Sequence, residues 1–121
     1  MALESKLFTA LSGSTLVTSV TTGIYPMRAP QYPVYPHIIY TRISGNQING
    51  LNGYMTAERP SIQIDIYSTG YAQAKSLSTS IHAVLDATTT FRAILISDTD
   101  LFEDEIDRYR RMLEFSCINL E

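Results

Sequence analysis

Residues 58–67, Glu-Arg-Pro-Ser-Ile-Gln-Ile-Asp-Ile-Tyr, decide the fold. Ile62, Ile64 and Ile66 alternate with Gln63, Asp65 and Tyr67, so a strand here turns one apolar and one polar face outward from its backbone. Residues 37–44, His-Ile-Ile-Tyr-Thr-Arg-Ile-Ser, are rich in β-branched and aromatic types and read as a strand as well. The stretch between them, 45–57, holds Gly45, Asn49-Gly50 and Asn52-Gly53. Asn-Gly is a strong hairpin signal, although the stretch is longer than a tight turn, so it reads as a long polar loop.

Working outward, Ser68-Thr69-Gly70 opens a helix over 71–87, with Ala74, Leu77, Ser78, Ile81, Val84 and Leu85 on its small-and-apolar face. Residues 91–97 and 109–118 read as two further strands; in the second, Leu113, Phe115 and Cys117 alternate with Met112, Glu114 and Ser116. Toward the N-terminus, Leu3, Leu7, Phe8 and Leu11 recur at helical spacing and Glu4 suits the start of a helix, so 3–12 is a helix ended by Ser12-Gly13-Ser14. A short second turn is read at 14–20, and Ile24-Tyr25-Pro26-Met27-Arg28-Ala29-Pro30 is held extended by its prolines. The order helix, extended segment, hairpin, helix, hairpin gives the expected class. It is α+β, an antiparallel or mixed sheet of about four strands with two main helices packed on one face.

The 121 residues make one domain, with 45% hydrophobic and 17% charged residues, well outside the disordered regime. A net charge of −3 supplies no global basic field for nucleic acid. No stretch approaches a membrane span, no secretory signal is read at the N-terminus, and the lone Cys117 fits a reducing compartment. Four of the five prolines fall between 26 and 36 with tyrosines before three of them. This segment is read as a connection pinned to the domain surface by its tyrosines, against the alternative of a polyproline ligand.

Candidate chemistry is sparse. Asp98, Asp100, Glu103, Asp104, Glu105 and Asp107 put six of the twelve carboxylates within ten residues, yet an EF-hand register from Asp98 fails at Phe102, Glu103 and Tyr109. The run reads as a solvated hairpin connection or an acidic contact surface. Arg108, Arg110 and Arg111 follow directly; on a strand the first two share a face and Arg111 takes the other. They are available either for local pairs within the chain or for pairs with a neighbouring subunit. His37 and His82 lack a ligand at metal spacing and read as surface or boundary histidines. No phosphate loop and no nucleophile elbow is present, so no catalytic residue, cofactor or metal is expected.

One resemblance covers nearly the whole chain. It is carried by the Leu-Glu-Ser-Lys-Leu-Phe helix at 3–8, the 24–30 segment, Pro36–Ser44, Ile62–Ser68, Tyr71-Ala72-Gln73-Ala74 and Tyr109–Phe115. Taken in this order, these features resemble the tail-completion, or tail-terminator, proteins of long-tailed phages. The resemblance implies a non-enzymatic virion protein, assembled in the host bacterial cytoplasm and sited at the head-tail interface. It also implies a ring, typically of six copies, that caps the tail tube and docks on a head-side connector or stopper protein. DNA then passes through the lumen only as cargo, and no membrane is involved. The resemblance itself maps no contact residues; loop and charge patterning point to Asn46, Asn49, Gly50 and Asn52 in the polar loop and Asp98, Asp100, Glu103, Arg108 and Arg110 in the charged hairpin as expected contacts. The rival readings are another head-tail connector or tube subunit, or a small cytoplasmic peptide-binding module.

Overall fold

The structure is a computed structural model that describes residues 3–21, 23–31, 33–48, 57–89 and 91–119, with residues 3, 16, 44–48, 57–60 and 119 described by backbone only. Among the described residues three helices, α1 (Leu3–Ser12), α2 (Thr15–Thr18) and α3 (Tyr71–Ala87), accompany five strands. The strands are β1 (Ile24–Pro26), β2 (His37–Ile48), β3 (Ala57–Ser68), β4 (Phe91–Glu103) and β5 (Arg108–Asn119). They form one sheet in the order β1-β2-β3-β5-β4, antiparallel except that β1 runs parallel to β2. The sheet is therefore mixed and has one strand more than expected. β1 was missed because three residues, Ile-Tyr-Pro, carry no periodicity, and their partner Ile38–Tyr40 is remote in sequence.

Alternation along the central strand β3 sets the two faces. Ile62, Ile64 and Ile66 are fully buried together with Ile38, Leu113, Phe115 and Cys117 from the neighbouring strands. Leu7 and Leu11 of α1, Val17 of α2 and Ala74, Leu77, Ile81, Val84 and Leu85 of α3 close the same core. The buried face of α3 is the one its sequence spacing specifies, Ser78 included. Its entry is set by Ser68, whose Oγ accepts from the Gly70 amide at 3.1 Å and sits 2.6 Å from Gln73 Oε1. At the far end the Thr88 hydroxyl donates to the Val84 carbonyl at 2.9 Å, occupying an acceptor the helix leaves open.

Two expected loops are strand in part. β2 continues to Ile48 and β3 starts at Ala57, with backbone partners out to Ile48↔Ala57, so Asn46 lies on a strand opposite Arg59. Beyond Ser61, β3 is paired by β2 alone among the described residues, which makes 44–48 with 57–60 a two-stranded arm extending past the sheet. Likewise β4 runs through the acidic stretch to Glu103, and only residues 104–107 turn. Asp107 closes that turn at φ 56°, a left-handed conformation that Asp tolerates better than most side chains.

His37 corrects the surface expectation: it is 2% exposed. Its ring stacks on Tyr67 at 5.1 Å and meets Tyr35 at 4.9 Å and Tyr25 at 6.1 Å, while Nδ1 has no hydrogen-bond partner. The prolyl segment is thus pinned through Tyr35, as its tyrosines suggested. Burial lowers the His37 pKa below 6.5; a backbone hydrogen bond with Val34 partly opposes this. A base whose folded pKa is depressed leaves the unfolded chain binding more protons. Its stabilising contribution is therefore complete above pH ~6.5 and declines as pH falls toward the folded value. Urea midpoints from pH 7.5 to 5.0 should fall faster for the native chain than for His37→Phe; equal slopes would contradict this account.

Candidate assembly surface

The charged hairpin builds two separate ion-pair groups, one on each face of the sheet. On the face away from the helices, Arg110 Nε donates to Asp65 Oδ1 at 3.0 Å and its Nη1 lies 3.6 Å from Glu103 Oε1. Asp65 is buried, and its second oxygen accepts from Gln63 Nε2 at 2.9 Å. Register explains the meeting: Arg110 is opposite Tyr67 on β3 and opposite Leu101 on β4, so Asp65 and Glu103 flank it on the same face. Its guanidinium also lies 5.6 Å from the Tyr67 ring centroid. Burial raises the Tyr67 pKa, keeping the phenol protonated throughout the neutral range.

On the helix side, Arg111 donates to Asp98 Oδ2 at 2.8 Å and to Asp100 Oδ1 at 3.1 Å. Tyr71, the first residue of α3, donates to Asp100 Oδ2 at 3.0 Å. A bulge between Leu95 and Ser97 shifts the parity of β4 and delivers both aspartates to this face. Arg108 behaves differently. Its guanidinium lies 4.5 Å from the Tyr35 ring centroid and donates to the carbonyls of Ile106 and Asp107, with no carboxylate partner among the described residues.

Of the residues expected to make contacts, Asp98, Asp100, Glu103 and Arg110 are thus paired within the chain. Arg108 lies against its own turn and Tyr35. Asn46 is on the arm, and Asn49, Gly50 and Asn52 lie outside the described residues. What the sequence reading missed is apolar. Ile94, Leu95, Ile96, Leu101 and Phe102 on β4, with Ile106 in the turn, are exposed although they sit in or beside a strand. The runs Ile94-Leu95-Ile96 and Leu101-Phe102 were visible, but only the strand order reveals that β4 is an edge.

Chemical sites are sparse as well. Among the described residues no group of three or more His, Cys, Asp or Glu side chains is placed to hold a metal ion. Cys117 is buried, and burial pushes its thiol up to about 11, where the nucleophilic thiolate is negligible at neutral pH. No described helix is long and apolar enough to cross a membrane.

The family model of the tail completion protein gp17 matches residues 5–119. The chain belongs to that family. This tail completion protein is a structural component of the phage virion, located in its tail. Its fold recurs in a chain from the virion of a native gene transfer agent particle, with a TM-score of 0.71 at 16% sequence identity. The match covers 98% of the tail completion protein and 94% of that chain. No curated protein sequence matches it.

Proposed function

We propose that this tail completion protein is a ring subunit, six copies to a ring, that ends growth of the tail tube and offers its other side to the head-side connector. The work is binding alone; DNA crosses the lumen as cargo, and neither a membrane nor catalysis takes part. The observation that carries this reading is the pair of unlike sheet edges. β4 is a 13-residue edge strand with exposed apolar side chains, whereas the opposite edge, β1, has three residues. An exposed apolar edge strand invites a partner. Unlike edges favour head-to-tail contact, which closes into a ring when the rotation between subunits allows it. The β2–β3 arm, which carries Asn46, is assigned to contact with a neighbour, as are Asn49, Gly50 and Asn52 of the polar segment. A projecting two-stranded ribbon has little stability of its own and gains support by docking.

Particles assembled without this chain test the reading. Filled heads and unjoined tails with tubes of uncontrolled length are expected, with joining restored when the purified chain is added. Tails of normal length joined to heads in its absence would overturn it.

A further inference from the structure

At the β4 end of the sheet a cleft of about 360 Å³ is lined by Tyr67, Phe102, Glu103, Asp104, Glu105 and Ile106. Its lining joins the apolar side chains Phe102 and Ile106 and the Tyr67 ring to three carboxylates. Glu103 is already engaged by Arg110, but Asp104 and Glu105 make no ion pair among the described residues. A cleft of this composition fits an apolar side chain carried next to a cation.

The chain has such a pair at its other edge. Immediately after β1, Met27 is 72% exposed at φ 66°, and Arg28 beside it is exposed and without an ion pair among the described residues. A left-handed φ is uncommon for a non-glycine residue and marks a backbone held by its surroundings. Here those surroundings are the Met27 amide donating to the Tyr40 carbonyl at 2.9 Å and the Arg28 amide donating to the Pro26 carbonyl at 2.7 Å. The result is a fixed apolar knob with a cation beside it. Between β1 and Arg42 on β2, Arg28 is the only charged residue, so nothing in the intervening sequence neutralises it.

We infer that the Met27–Arg28 knob of one copy seats in the Phe102–Ile106 cleft of the next, Met27 against Phe102 and Ile106 and Arg28 against Asp104 and Glu105. This rests on the ring reading and deepens it by naming the subunit contact. Knob and cleft stand on opposite edges of a five-stranded sheet, roughly 19 Å apart at ~4.8 Å per strand spacing, so one copy cannot satisfy itself. A second copy presents the complementary shape and the complementary charge together. Ile94 and Ile96, 50% and 54% exposed on the same edge, extend the apolar contact along β4.

Two variants that each spoil one half test the inference. Met27→Asp with Arg28→Glu removes the knob, and Asp tolerates the left-handed backbone. Asp104→Lys with Glu105→Lys reverses the cleft rim at exposed turn positions. Circular dichroism should show both folded. Solution mass is then measured alone and with purified tail tubes, under conditions where the native chain assembles. Each variant alone should stay monomeric, and an equimolar mixture should form a species of twice the 13.5 kDa chain mass and nothing larger, since each partner keeps one working half. Rings from either variant alone, or a mixture that remains monomeric, would overturn the knob-in-cleft contact and leave the ring reading standing. A native chain that never assembles, alone or on tubes, would sink the ring reading and this contact with it.

Discussion

Replacing Arg110 with alanine is expected to destabilise the isolated domain by about 2–3 kcal/mol, before any assembly is considered. The reason is Asp65, a buried carboxylate on the central strand whose close cation is Arg110 at 3.0 Å. Removing the guanidinium leaves the carboxylate with the Gln63 amide as its remaining hydrogen-bond partner among the described residues and little water to replace the loss. Arg110 is 23% exposed, which sets the effect below that of a fully buried pair. For a domain of this size the melting temperature should drop by on the order of 10 °C. Asp100→Asn, at the more exposed pair with Arg111, should cost only ~0–1 kcal/mol. Thermal melts of the two variants measure the contrast. Equal, small shifts would mean that the Asp65–Arg110 pair contributes nothing to the fold and would return Arg110 to the list of intersubunit candidates.

Ile64→Ala should have the larger effect, about 3–4 kcal/mol. Ile64 is fully buried at the middle of β3, opposite Tyr40 on β2 and Leu113 on β5, under the helix layer. Truncation removes buried methyl and methylene groups from a site held on both sides by backbone ladders, so collapse around the cavity is restricted. With total stabilities of ~5–15 kcal/mol for such domains, this is a large fraction of the whole. Urea unfolding followed by circular dichroism gives the number, and a loss under 1 kcal/mol would contradict the central position assigned to this side chain.

The parts of the fold that were legible in the sequence are those with local periodicity. The Ile62-Ile64-Ile66 alternation and the apolar stripe of α3 specify their buried faces without knowledge of any partner. What was not legible depends on remote pairing. β1 exists because Ile24–Pro26 meets Ile38–Tyr40. The carboxylate run from Asp98 to Glu103 reads as a turn by composition, yet it extends β4 because Arg110 and Arg111 lie across the ladder to compensate it. His37 looked like a boundary residue because Tyr25, Tyr35 and Tyr67 reach it from three places in the chain.

The candidate surface divides in the same way. Charge was visible as a cluster, and geometry then assigned most of it to pairs within the chain. Exposed apolar side chains on β4 became meaningful only once the strand order put them at an edge. The Met27 knob depends on a backbone angle that no residue type in its neighbourhood announces.

Copies of this chain are proposed to close into a ring on the end of the tail tube. Electron microscopy of purified tubes incubated with the chain, combined with its solution mass by light scattering, tests it most directly. One closed ring of six copies is expected at a single end of each tube, with no further tube growth once it is in place. Tubes left bare by a chain that stays monomeric, or a chain that adds along the tube without stopping it, would rule out a terminating ring.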